Sequence, residues 1–239
     1  VIRIAAWNLN HRTREKNIPS EAIGCIRLLD AEILILTEFV DGPTRLRFKE
    51  SLAEMGYKSI RVSRKITKNN QVLIASKTPL ITGDLIPPDT TEDAATNFLH
   101  QRLPNYDLEV VGVRPPTYKR KQLQDYWHHL SSIIARTKDR AIVFIGDLNC
   151  DPFLGSSSGA VALKKLCSEG FIIPNPEGLW SYISYNGMRS TRIDHALISP
   201  KIRYYKASYI TRCGDMILAG PDHEKPVSDH AALVLDLMK

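Results

Sequence analysis

Two short stretches set acids and amides two residues apart at the end of apolar runs. "AIVFIGDLNCDP" (141–152) carries Asp147 and Asn149, and "AAWNLN" (5–10) carries Asn8 and Asn10. Side chains at i and i+2 of a strand share a face. If each strand persists through its motif, each pair stands together at a strand's C-terminal end, where open α/β sheets hold ligands. A third run, "EILILTE", ends on Glu38. "STRIDHALIS" sets Asp194 in an apolar strand, and "PVSDHAALVL" puts Asp229 and His230 before another.

Each feature has an ordinary explanation by itself. Gly, Asp and Asn end strands because they tolerate turn geometry. Asn8 could cap a turn, Glu38 could be an exposed strand end, Asp194 could pair with Arg192 or Arg203, and His230 could be a satisfied core histidine. Taken together, five strand ends supply hard oxygen donors and one proton-transfer group. Cys150 is the one cysteine in these motifs, and no H-x-x-x-H occurs in the chain. Oxygen donors suit Mg²⁺, Mn²⁺ or Ca²⁺ better than zinc. A hard cation that neutralises phosphate charge, beside a carboxylate that activates water, is the chemistry of phosphoester cleavage.

The elements that must position these residues follow from the apolar pattern. Strands are predicted at 1–7, 32–36, 58–62, 71–76, 97–103, 107–113, 141–145, 193–198, 203–210 and 231–237, and helices at 20–29, 44–55, 118–138 and 159–169. Ser20 is placed to cap the first helix, with Glu21 in its first turn. Gly170 stands where the last should stop. Several neighbouring strands are too close in sequence for a helical crossover, which requires hairpins and mixed sheets. Two sheets packed face to face with helices outside fit this count. Residues 86–96 read as the most mobile loop, and Tyr126 and Trp127 as packing residues on a helix.

The chain has 239 residues, 43% of them hydrophobic and 24% charged, which suits a soluble α/β chain able to bury its own core. We expect a single domain over 1–239. The net charge of +6 permits a polyanionic partner. The four cysteines form no close-spaced pair and read as reduced thiols. No apolar stretch is long enough to span a membrane, and no signal peptide is visible. The expectation is a cytoplasmic monomer with no membrane anchor and no implied protein partner. The start at Val1 without Met leaves a removed leader open.

The order of the motifs resembles the endonuclease/exonuclease/phosphatase superfamily, which includes pancreatic deoxyribonuclease, the apurinic endonucleases and the inositol 5-phosphatases. The resemblance is carried by "WN" at Trp7–Asn8, the strand ending in Glu38, "GDLN" at Gly146–Asn149, "RIDH" at Arg192–His195 and "SDH" at Ser228–His230. No single motif is specific, whereas the ordered set is. The resemblance implies an α/β four-layer sandwich, two mixed β-sheets packed face to face and flanked by helices. It implies Mg²⁺ or Mn²⁺ as cofactor. Glu38 would be the principal metal ligand, Asn8 would assist, and Asp229 would serve a second or shifted metal position. Asp147 would orient or deprotonate water. Asn149, with Asn10 nearby, would hold phosphate or water. His230 would touch the phosphate, oriented by Asp194.

Two departures stand out. "LTE" replaces the "LQE" of many members, and the Glu remains. In "VVGVRPPTYKRKQ", Arg114 stands where many relatives place a phosphate-contacting His. Arg binds phosphate bidentately and stays charged, so it cannot readily serve as an acid. The alternative is a surface arginine before a Pro-Pro turn.

Basic residues cluster in two loops, Arg61, Arg64, Lys65 and Lys68, then Arg114, Lys119, Arg120 and Lys121, with Tyr118 inside the second. A solvated basic face is the plain explanation. Basic loops with an interleaved aromatic also suit a nucleic-acid backbone, DNA ahead of RNA. The first functional expectation is therefore a metal-dependent nuclease. The second is a phosphatase or phospholipase-type enzyme acting on a phosphorylated lipid, sugar or nucleotide. The chain lacks the Trp-Cys-Asp-Arg core of inositol phosphatases. A binding module that has lost catalysis is disfavoured by the intact acids, amides and histidine.

Overall fold

The structure is a computed structural model that describes residues 1–10, 18–66, 69–117 and 119–238. β1 (Ile2–Asn8) is apolar on both faces. Ile2, Ile4 and Ala6 pack into the core between two sheets, and Ala5 and Trp7 into a second core on the opposite face. A strand of this kind needs cover on both sides. β2 (Ile33–Phe39), β4 (Gln71–Ser76) and β8 (Ile142–Asp147) are buried along their whole length for the same reason. Each isoleucine or leucine buried this way contributes about 1.5–3 kcal/mol.

The remaining strands are β3 (Ser59–Val62), β5 (Ile81–Thr82), β6 (Phe98–Leu103), β7 (Leu108–Val113), β9 (Tyr182–Ile183), β10 (Ser190–Thr191), β11 (Asp194–Ile198), β12 (Tyr204–Ile210), β13 (Arg212–Cys213), β14 (Met216–Ile217) and β15 (Ala232–Leu237). One sheet has the order β12-β15-β1-β2-β4-β3, the other β11-β8-β7-β6-β5, and β9-β10 and β13-β14 form small ribbons. Both large sheets are mixed. β1 runs parallel to β2 and β7 parallel to β8, while the other pairs are antiparallel. Parallel neighbours need a crossover. α1 (Ser20–Leu29) lies in the first and α4 (Arg120–Ala135) in the second.

α1 and α2 (Leu46–Glu54) cover the six-stranded sheet through Ala22, Cys25, Ile26, Phe48 and Leu52. α4 and α5 (Ser158–Ser168) cover the five-stranded sheet through Tyr126, Trp127, Leu130, Leu163 and Leu166. The architecture is the expected four-layer sandwich. Tyr126 and Trp127 are buried packing residues, and the four cysteines are unbridged.

Several expectations change. Pro19, not Ser20, takes the position before α1. Its extended backbone leads straight into the helix, and the Ser20 hydroxyl donates to Glu21 instead. Residues 43–45 form a 3₁₀ turn before α2, started by Pro43. Part of the supposed loop 86–96 is a short helix, α3 (Glu92–Thr96). Gly170 does follow α5, with φ +106°, which suits glycine.

Candidate active site

The parallel pairs deliver their C-terminal ends to one edge of the sandwich. β1 ends at Asn8, β2 carries Glu38, β7 leads into Arg114, and β8 ends at Asp147. β11 begins at Asp194 directly opposite Asp147 in the ladder, and His230 lies just before β15.

Local backbone chemistry aims each of these side chains. Asp147 and Asn149 do not share a strand face as expected, because β8 stops at Asp147. Asn149 turns into the left-handed region (φ +51°), and its N–H donates to Asp147 Oδ1 at 3.0 Å. The first motif repeats this device. β1 stops at Asn8, Asn10 is left-handed (φ +51°), and its N–H donates to Asn8 Oδ1 at 2.8 Å. Both are Asx turns, in which a side chain accepts from the backbone two residues on. Asn149 Nδ2 then donates to the Pro115 carbonyl at 2.9 Å, which ties the β8 loop to the β7 loop.

Glu38 sits on a bulge. From Leu36 to Phe39, β2 advances three residues while β4 advances two, and Glu38 is left-handed (φ +54°). Bulges re-aim side chains, and this one leaves Glu38 buried at the site. Gly146 explains the "G" of "GDLN". Its φ is +149°, and an added Cβ would lie 2.3 Å from the Val113 carbonyl oxygen.

The side chains form one connected set. Asn8 Nδ2 donates to Asp147 Oδ2 at 2.9 Å and lies 3.5 Å from His230 Nε2. His230 Nδ1 donates to Asp194 Oδ2 at 2.9 Å. Arg114 Nη2 is 2.6 Å from Glu38 Oε1, and its Nε is 3.5 Å from Asp147 Oδ2. Arg114 is thus no surface residue; it is 9% exposed. Asp229 is the most open member, its Oδ1 3.9 Å from His230 Nε2.

Electrostatics follow from burial and charge. Burial, reinforced by the nearby Asp194 charge, pushes the Asp147 carboxyl up to about 6 against the pull of His230 and Arg114. Burial opposes a charge on His230, but Asp194, as charge and hydrogen-bond acceptor, outweighs it. With Asp147 and Asp229 adding, the imidazole is pushed up to about 10. The Asp194 carboxylate is placed to fix the imidazole tautomer and to raise its basicity.

The residues fit a hard divalent cation. Glu38, Asp147 and Asp229 offer carboxylate oxygens, and Asn8 an amide oxygen. One cation, the Arg114 guanidinium, already lies between the first two. Ligand atoms of Asp147, Asp194 and His230 also lie within 4.8 Å of one another, although the Asp194–His230 hydrogen bond engages two of them.

Four positioning residues were not singled out from the sequence. Ser181 Oγ accepts from the N–H groups of Ile193 and Asp194 and holds the start of β11. Ser228 Oγ donates to the Asn8 carbonyl and accepts from His230 N–H. Trp7 Nε1 donates to the His230 carbonyl at 2.8 Å. The Tyr182 ring centroid lies 5.1 Å from that of His230. Trp7 and Ser228 lie inside the quoted motifs; Ser181 and Tyr182 carry no local signal.

The basic loops flank this edge. Ser63 at the end of β3 donates its hydroxyl to the Thr96 carbonyl, and Arg114 N–H donates to the Asn97 carbonyl at 2.9 Å. The loops after β3 and β7 therefore meet the same short segment. Arg64, Lys65, Lys119, Arg120 and Lys121 are exposed. Tyr118 and Lys68 lie outside the described residues.

Solved structures share the fold. A 3′ phosphatase from Neisseria bound to a product DNA hairpin is 19% identical, with both chains fully covered and a TM-score of 0.76. An AP endonuclease from Archaeoglobus fulgidus is 18% identical, again with full coverage of both, at 0.77. A 3′-5′ exonuclease from Neisseria meningitidis is 19% identical over the whole of both chains, at 0.73. No curated protein matches the chain by sequence. The model of the Endonuclease/Exonuclease/phosphatase family matches residues 5–230 and so takes in every site residue from Asn8 to His230. The chain belongs to the endonuclease/exonuclease/phosphatase family of metal-dependent phosphoesterases.

Proposed function

We propose that the protein is a nuclease that hydrolyses DNA phosphodiester bonds by in-line attack of water, with Mg²⁺ or Mn²⁺ as cofactor. The observation that carries this reading is the buried Asp194–His230 hydrogen bond beside Asp147 and Asn8, at the edge where Glu38 arrives. The bound cation would be held chiefly by Glu38, assisted by Asn8, with Asp229 at a second or shifted position; it supplies charge neutralisation at the phosphate and leaving oxygen.

Asp147 orients the attacking water and takes its proton, a role its raised pKa suits. Asn8 and Asn149 fix Asp147 from opposite oxygens, and Asn149 and Asn10 border the phosphate position. His230, charged and held by Asp194, donates to a non-bridging oxygen that gains charge in the transition state. Arg114 supplies a second, non-titrating cation to the same phosphate. Arg64, Lys65, Lys119, Arg120 and Lys121 track the flanking backbone. The Neisseria 3′ phosphatase bound to a product DNA hairpin and the Archaeoglobus fulgidus AP endonuclease agree with this reading.

A second reading, phosphomonoester hydrolysis, draws support from the 3′ phosphatase relative. No helix among the described residues is long and apolar enough to cross a membrane. A metal-dependent activity panel tests both readings: plasmid DNA, single-stranded DNA, RNA, an abasic duplex and a phosphomonoester. Cleavage confined to the monoester would replace the nuclease reading with the second.

A further inference from the structure

We propose that Arg114 competes with the divalent cation for Glu38, so that metal binding releases the guanidinium toward the substrate phosphate. The inference rests on the reading of Glu38 as a metal ligand. Three observations support it. The Arg114 fork lies at both carboxylates, 2.6 Å from Glu38 and 3.5 Å from Asp147. Among the described residues its buried Nε has no hydrogen-bond partner, and at 3.5 Å the contact with Asp147 is loose. The backbone on either side is pinned: Arg114 N–H donates to Asn97, and the following Pro115 carbonyl accepts from Asn149. The side chain is therefore the part free to move.

Buried carboxylates require a counter-charge. Arg114 supplies one to Glu38 and Asp147 when no metal is present. A dication that takes Glu38 removes the acceptor of the guanidinium and places two like charges in contact. Either the fork leaves or the metal binds weakly. A fork that leaves from a pinned backbone stays at the site edge, with its donors free for a phosphate oxygen. The arginine thus lowers intrinsic metal affinity and becomes available for phosphate once metal is bound.

The test measures Mn²⁺ binding to chelator-stripped protein without substrate, by calorimetry and by electron paramagnetic resonance of free Mn²⁺. Arg114→Met is expected to bind Mn²⁺ about tenfold or more tighter than the native chain, and Glu38→Gln to bind it more weakly. Native or weaker affinity in Arg114→Met, with Glu38→Gln impaired, overturns the competition and leaves the role of Glu38 intact. Unchanged affinity in Glu38→Gln overturns both. If Arg114→Met does not fold, the native protein decides. The Arg114 Nε–H resonance, assigned by its loss in Arg114→Lys, should shift in step with Mg²⁺ saturation; a resonance that stays in place overturns the proposal.

Discussion

Asp194 Oδ2 and His230 Nδ1 lie 2.9 Å apart with both side chains buried, so the imidazole is held by a charge-assisted hydrogen bond before any substrate arrives. His230 is pushed up to about 10, chiefly by Asp194 working against burial. A folded-state pKa above the unfolded value of about 6.5 contributes stability that is full below 6.5 and lost as pH rises through about 10. Asp194→Asn should bring the His230 titration down toward neutrality and cut turnover by about two orders of magnitude or more. Histidine NMR across pH 5–11 on metal-free protein checks this. A native His230 that titrates near 6.5 contradicts it.

Asp147 leans the other way. Its folded carboxyl, pushed up to about 6 first by burial, binds a proton that the unfolded chain has already released. Ionised Asp147 therefore costs stability above about pH 6, and the cost disappears as pH falls toward 3.8. The acid limb of kcat/KM should lie near pH 6 at low metal and move lower as the cation saturates, because added positive charge favours the carboxylate. Asp147→Asn should lose about two or more orders of magnitude in turnover at every pH. Rate profiles at two metal concentrations measure both effects.

Chelation should abolish activity, and Mg²⁺ or Mn²⁺ should restore it. The fold should survive, because the three apolar cores do not depend on the site. Metal at about a hundred times its Kd should add roughly 2.7 kcal/mol of apparent stability, visible as a raised melting temperature. Glu38→Gln should lose that increment and raise the metal requirement. Full activity in excess chelator, with no metal in the purified protein, would remove the basis for the site assignment.

Gly146→Ala should destabilise the chain by about 2–5 kcal/mol. The new methyl meets the Val113 carbonyl at 2.3 Å, on a backbone that only glycine adopts without strain. Thermal melting reads this as a drop of roughly 5–15 °C. A substitution within 1 °C of native would mean that β7 can yield at this point.

The exposed cations Lys119, Arg120 and Lys121 open α4 beside the site. Neutralising all three should weaken binding to duplexes of any sequence. It should also flatten the dependence on salt by roughly one unit of slope per lost phosphate contact. Filter binding between 50 and 300 mM salt separates this from a small-substrate enzyme, whose slope would hardly change.

The layers were legible because strands buried on both faces are apolar without interruption, as in "ILILTEF" and "IVFIGD". The site was legible as an ordered set of strand ends. The geometry that makes it a site was not. The Glu38 bulge depends on pairing with β4. The Asn149 and Asn10 turns replace the simple same-face alternation that their spacing implied. The Arg114–Glu38 contact joins segments 76 positions apart and different sheets, which periodicity cannot see. Ser181 and Tyr182 become meaningful only once their ribbon lies against β11 and His230.

β15 lies between β12 and β1 in the six-stranded sheet, and Trp7 bonds the His230 carbonyl across 223 positions of sequence. A ribosome adds about 5–20 residues each second, so on the order of 10–45 s separate the synthesis of those two partners. Throughout that interval β1 lacks its antiparallel neighbour, and Asn8 waits for the histidine that will stand beside it. The candidate site is assembled last, when β15 enters the sheet between β12 and β1 and brings His230 beside Asn8.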